Sequence, residues 1–141
     1  MNCYYNITEE PIDFNQLTGL YKSQKSGGAV IFLGTIRDNN QDKKVDHLFY
    51  EAHVDLANKM IQQILEKSIA EFNLDYAIAV HRTGKLIPGE IAVAVITFSK
   101  HRKEAYNANQ VIIHSIKHEA PIWKKEIFAD GTSVWGNNCN C

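Results

Sequence analysis

Between Ser99 and Glu126 the chain reads SKHRKEAYNANQVIIHSIKHEAPIWKKE, with cations at both ends of what the spacing predicts to be one helix. His101 and Arg102, flanked by Lys100 and Lys103, stand at the start; Lys117 stands at the end, with Lys124 and Lys125 just beyond. The first turn of a helix carries free N–H groups and the positive end of the macrodipole, so acidic residues are preferred there. A start made of four basic residues costs stability unless an anion supplies the negative charge. A phosphate at that position would receive backbone donors together with Arg102, and His101 could add a charged hydrogen bond or a proton. The plainer alternative is a basic helix face turned to water.

Lys117 closes the helix, where a cation suits the dipole for structural reasons alone. Lys124 follows Trp123, and in a strand the two face opposite ways. The expectation is Trp123 packed inward and Lys124 pointing out, into a cleft. A lysine beside apolar surface can have its pKa lowered and serve as base or nucleophile. Arg37 ends the run GTIR after Gly34, a residue that permits close approach of backbone or ligand; otherwise it is an ordinary arginine at a strand end. Residues 100–125 carry a net +4 on a chain of net charge −1. Such a focus can draw in a small anion. Its size, and the lack of aromatic interleaving beyond Tyr106 and Trp123, speak against nucleic acid.

The remaining histidines are His47, His53, His81, His114 and His118. His114 and His118 share a helix face but no third ligand is evident, so no metal is expected. Cys139 and Cys141 in GNNCNC read either as a redox pair or half a metal site, or as plain tail thiols. No dinucleotide or phosphate-loop fingerprint occurs, and no spaced carboxylate pair suggests glycosidase chemistry.

Elements must hold these residues in place. The pattern predicts a short strand over 2–7, helical spacing over 12–23, and a buried strand over 28–37. A turn or mobile loop over 38–44, a strand over 45–52 and an amphipathic helix over 54–72 follow. A strand over 75–84, a Pro-Gly turn and a buried strand over 91–99 come next. Ser99 is a good N-cap for a helix over 100–118, with Ala105, Ala108, Val111, Ile112 and Ile116 inward. Pro121 stops that helix, and a hairpin turns at Asp130-Gly131. Helices alternating with hairpin-linked strands favour an α+β fold with a largely antiparallel sheet. The 141 residues suit one domain over 1–141, with 136–141 as a tail. At 45% hydrophobic and 22% charged the composition is that of a globular protein. No apolar run approaches the roughly 18 residues that span a bilayer, and no secretory signal stands out at the N-terminus, so a cytoplasmic protein is expected.

Several ordered blocks carry a resemblance: GAVIFLGTIRDNN, YEAHVDLANKM, AIAVHRTGKLIPGE, SKHRKEAYNANQVIIHSIKHEAPIWKKE and DGTSVW. From about Gly28 to Trp135 the chain resembles the MoaE family, the catalytic (large) subunit of molybdopterin synthase. The resemblance implies an α/β hammerhead fold with an added small antiparallel sheet. It implies a homodimer binding two copies of a small ubiquitin-like sulfur carrier, MoaD, in a 2+2 heterotetramer. It implies a sulfurtransferase that moves sulfur from the carrier's C-terminal thiocarboxylate to cyclic pyranopterin monophosphate, forming the dithiolene of molybdopterin without cofactor or metal. The family's substrate-site arginine matches Arg37, with Thr35 and Ile36 beside it, and its His-Arg pair matches His101 and Arg102. Its essential lysine matches Lys117 and its second lysine Lys124, followed by Lys125 and Glu126. His53 and Val54 depart from the aromatic and proline often found there, and the tail lacks the basic residues some members carry. The same basic residues would also serve another phosphate-ligand transferase, or a non-catalytic module docking an acidic partner tail.

One straight helix over 101–117 would separate its ends by about 24 Å. A small substrate cannot reach both, so the helix must break or two chains must share a site, with Arg37, Lys117 and Lys124 from one and His101 and Arg102 from the other.

Overall fold

The computed structural model describes residues 2–137, and these form two sheets and three helices in an α+β arrangement. The first sheet has four strands: β1 (Cys3–Thr8), β2 (Gly28–Thr35), β5 (Tyr76–Arg82) and β7 (Ile91–Ser99), in the order β1-β5-β7-β2. Only the β1–β5 pairing is parallel among those of the described residues. The second sheet orders β3 (Asn39–Asn40), β4 (Lys43–Ala52), β8 (Ile122–Phe128) and β9 (Ser133–Asn137), with β6 (Gly84–Leu86) also paired to β4.

β5 and β7 lie at the centre of the first sheet and are apolar on both faces, as a doubly covered strand must be. Ala77, Ala79, Val93 and Val95 face the long helices α2 (Val54–Phe72) and α3 (Arg102–Glu119) in the main core. Ile78, Val80, Ala94 and Ile96 face the other way, against Leu17 of α1 (Phe14–Thr18). α1 is five residues long where the spacing predicts twelve, because the chain turns at Gly19 and Tyr21 stacks on Tyr76, 4.6 Å between ring centres.

β2 departs from its expected burial. It is an edge strand, and Ile31 and Phe32 remain 45% and 39% exposed. Its β-branched run reads as a core strand from composition alone, but no strand among the described residues pairs with its far side. At Gly34 the pairing with β7 is irregular, and a Cβ there would lie 2.6 Å from Cγ1 of Val93. Of the two readings of 38–44 the turn is the one seen: a tight hairpin joins β3 and β4, with Gln41 and Asp42 in left-handed conformation.

α2 buries Ala57, Ile61, Leu65 and Ser68, while Leu56 is exposed. His53 is its N-cap, its ring nitrogen accepting from the N–H of Leu56 at 3.2 Å. In α3 the buried face is Ala105, Ala108, Asn109, Ile112 and Ile116; Val111, predicted inward, is exposed. Asn109 donates to the carbonyls of Val30 and Val95 at 3.1 and 3.0 Å, and so fixes α3 across the β2–β7 pair. Ser99 does not cap α3. Its hydroxyl donates to the His101 carbonyl, and His101 becomes the N-cap residue with no capping bond from its side chain. Gly136 and Asn137 belong to β9 rather than to a tail; Cys139 and Cys141 lie outside the described residues.

Candidate active site

Lys117 and Lys124 meet at a cavity of about 300 Å³ between the sheets, one from the last turn of α3 and one from β8. Thr35, Ile36 and Arg37 line the same cavity from the end of β2, and Glu126, Asn40 and Tyr50 complete its polar wall.

The segment 35–37 is braced from below. The N–H of Ile36 donates to the Glu90 carbonyl at 3.0 Å, and the N–H of Gly89 donates to the Ile36 carbonyl at 2.8 Å. The Glu90 carboxylate pairs with Arg82, which also donates to the carbonyl of Glu9. Arg37 thus projects from a fixed backbone, not from a free loop.

The alternation of β8 decides which lysine enters. Ile122, Lys124, Glu126 and Phe128 face inward, and Trp123 is 45% exposed. This inverts the expected facing of the Trp123-Lys124 pair. The inner face is set by Ile122 and Phe128 joining the main core, and the pleat then carries Lys124 and Glu126 with them. Lys125, grouped with the site in sequence, takes the opposite face. Its ammonium lies 5.7 Å from the Trp135 ring, and it does not line the cavity.

Two buried charges now need partners. Lys124 and Glu126 are 3.7 Å apart, and Asn40 donates to both carboxylate oxygens of Glu126 at 2.9 and 3.0 Å. Burial holds Lys124 below the usual lysine range; Glu126 opposes that shift and Arg37 adds to it. Lys117 sits 5.8 Å from the centre of the Tyr50 ring, directly across the β4–β8 ladder from Lys124. Burial, with the positive charge of Lys124 second, brings Lys117 down to about 8. Near neutral pH it can therefore act as a cation or, after losing a proton, as a base. Burial and the neighbouring Glu126 push the Tyr50 phenol up to about 12, so it stays neutral. Behind Tyr50 stands His81, 1% exposed, its ring 4.9 Å from that of Tyr50 and nearly edge-on.

His101 and Arg102 are elsewhere. α3 runs unbroken over 18 residues, which separates its ends by about 27 Å. Both side chains are exposed at the far end and neither lines the cavity. Gly27 and Gly28 pass closely beneath them: a Cβ on Gly27 would collide with the Lys100 carbonyl, and one on Gly28 would lie 3.3 Å from Cα of Arg102.

Asn40, Tyr50 and His81 were not singled out from sequence. Asn40 lay in an apparent loop, and Tyr50 and His81 looked like ordinary strand residues. The signal was present in one respect: a histidine inside the apolar run AIAVHR must be buried, and a buried imidazole needs partners.

The family model described as MoaE protein matches residues 7–119. The molybdopterin synthase catalytic subunit of Pyrococcus abyssi is 37% identical over 128 residues, covering 89% of this chain and 86% of that one. The crystal structure of molybdopterin synthase from Staphylococcus aureus superposes with a TM-score of 0.88 at 36% identity, over 94% of this chain and 96% of that chain. A complex of subunits 1 and 2 of the molybdopterin-converting factor of Helicobacter pylori shares the fold, with a TM-score of 0.76 at 20% identity over 94% and 89% of the two chains.

Proposed function

The chain belongs to the MoaE family of molybdopterin synthase catalytic subunits, enzymes of molybdenum cofactor biosynthesis, and from that membership we propose what its cavity does. Cyclic pyranopterin monophosphate occupies the cavity, and the C-terminal thiocarboxylate of a small MoaD-like carrier enters beside it. Two sulfurs are delivered in succession to give the dithiolene. The observation that carries this reading is the convergence of Lys117 and Lys124 on one buried cavity whose wall includes Arg37.

The chemistry asks for what these residues offer. In each delivery the carrier's thiocarboxylate sulfur bonds to a substrate carbon and displaces an oxygen substituent there; water then attacks the acyl carbon of the resulting thioester, so that an acyl C–O bond forms, the acyl C–S bond breaks and the sulfur stays on the substrate as thiolate. A tetrahedral oxyanion forms and collapses on the way. Lys117 as ammonium stabilises that oxyanion, and as amine it takes a proton from the attacking oxygen. Lys124, held by Glu126, adds fixed positive charge. Arg37, beside Thr35 and Ile36, binds the substrate's anionic part.

The active form is a homodimer carrying two carriers. His101 and Arg102 of the second copy hold the phosphate at an α3 start that lacks a side-chain cap. The unbroken α3, the unpaired edge of β2 and the exposure of Ile31 and Phe32 support this arrangement. No helix of the described residues is long and apolar enough to cross a membrane, and the proposed compartment is the cytoplasm. The test is reconstitution of the purified dimer with thiocarboxylated carrier and cyclic pyranopterin monophosphate, read as dithiolene formation. Absence of product from the folded wild-type protein overturns the reading. Loss of carrier binding, with no turnover in any variant, points instead to a docking module.

A further inference from the structure

Among the described residues, His81 is a buried ionisable side chain next to the site that the chemistry above leaves unused. It lies at the end of β5, fully enclosed, with its Nδ1 2.7 Å from the backbone carbonyl of Arg82. A carbonyl only accepts, so Nδ1 carries the proton and donates. Burial and the positive charge of Lys117 both oppose a second proton, and together they outweigh that carbonyl and bring the imidazole down to about 3. A neutral ring with its proton committed at Nδ1 has one acceptor left, the lone pair of Nε2. Buried acceptors take a donor, and the buried polar atoms without a partner among the described residues belong to Asn58, Arg82 and Glu104, not to His81.

The donor is narrowed by the packing. The His81 ring meets Tyr50 nearly edge-on at 4.9 Å, and the Lys117 ammonium lies 5.8 Å from the centre of that same Tyr50 ring. His81 and the Lys117 ammonium are thus both neighbours of one aromatic ring, that of Tyr50. The other charged groups of the cavity are Lys124 and Glu126 on β8 and Arg37 after β2, and Lys124 and Glu126 are already paired with each other.

We infer that His81 is a positioning residue for Lys117: as the Nδ1–H tautomer it offers Nε2 to the lysine ammonium, and with the Tyr50 ring it fixes where that ammonium sits. A neutral acceptor suits the task better than a carboxylate. It orients the lysine without pinning it in the charged state, so the amine still exchanges a proton during turnover. The inference rests on the sulfur-transfer reading for its effect on rate, but its geometry is testable without turnover.

The decisive pair of variants separates the two ring nitrogens. His81→Gln keeps an acceptor near the place of Nε2; His81→Asn keeps a donor near Nδ1 and loses that acceptor. The Lys117 side chain is titrated by NMR of lysine-labelled protein, with Lys117→Arg identifying its resonance. His81→Asn should lower the Lys117 midpoint by about half a pH unit or more, since an ammonium that loses an acceptor gives up its proton more readily. It should also lower kcat about tenfold with little change in KM. His81→Gln should titrate like the wild type and recover most of kcat. A folded His81→Asn protein whose Lys117 titrates as in the wild type overturns the inference. So does finding the wild-type imidazole protonated on Nε2 by nitrogen NMR, a measurement that needs no variant to fold. If the wild type forms no dithiolene, the sulfur-transfer reading fails while the titrations still decide the role of His81.

Discussion

The Lys117 ammonium lies 5.8 Å from the centre of the Tyr50 ring, and Tyr50 is the β4 residue that registers with Lys124 on β8. One aromatic residue thus adjoins both cations, and the two charges still feel each other. The cost of burying them appears in their depressed proton affinities.

That cost gives a prediction about pH. Lys117 titrates near 8 in the fold against 10.5 when unfolded. Between these values the unfolded chain binds more protons, so stability rises with pH from 8 to 10.5, and below 8 the full penalty is present. Lys117→Met should therefore be more stable than the wild type at pH 7, by about 1–3 kcal/mol allowing for partial solvent access. The gap should close as the pH approaches 10. Thermal melts of both proteins across this range check it. The same substitution should reduce dithiolene formation about a hundredfold or more.

Asn40 should matter more than its loop position suggests. It supplies donors to both oxygens of the buried Glu126 carboxylate. Asn40→Ala leaves that charge facing Lys124 at 3.7 Å without the two amide hydrogen bonds, a loss of about 1–3 kcal/mol. Asn40→Asp sets a second carboxylate against the first and should be worse than Ala. Denaturant melts rank the three proteins; equal stability of the Ala and Asp variants would remove Asn40 from this role.

Gly34 is a packing requirement at the cavity wall. An added methyl would lie 2.6 Å from Cγ1 of Val93, so β2 must shift outward. Gly34→Ala should cost about 1–3 kcal/mol and raise KM by moving Thr35 and Arg37. Combining it with Val93→Ala should recover part of the loss. A double-mutant cycle measures the coupling directly; additive costs would show that the contact is not the cause.

Subunit mixing tests the shared site. Arg102→Ala and Lys117→Ala homodimers should each be inactive, while heterodimers made from both regain one intact site of two. Ile31→Lys on the unpaired edge of β2 should shift the protein toward monomer in light scattering and remove activity with it. Confirmed heterodimers without activity would mean that the phosphate is held within one chain.

The sequence was most readable where chemistry and periodicity coincide. The central strands and both long helices follow from apolar runs and their periodicity, while the grouping of Arg37, Lys117 and Lys124 follows from the family resemblance. What it hid were relations across the sheets. Nothing local says that β2 is an edge, since Val30, Ile31 and Phe32 have the composition of a core strand. The facing of Trp123 and Lys124 was inverted because hydrophobicity alone puts tryptophan inside; the fold instead anchors β8 through Ile122 and Phe128. Asn40, Tyr50 and His81 matter through residues distant in the chain: Asn40 through Glu126, Tyr50 through the β4–β8 register and His81 through the Tyr50 ring.

The alternation of β8 also limits how this segment can change over time. Substitutions at Trp123 or Lys125 alter an outer face and leave the cavity chemistry in place. A one-residue insertion between Ile122 and Trp123 is different in kind, because it exchanges the faces of everything after it. Trp123 and Lys125 would turn inward, and Lys124 and Glu126 would be delivered to solvent together. The strand should tolerate wide variation in residue type at its outer positions and almost none in length.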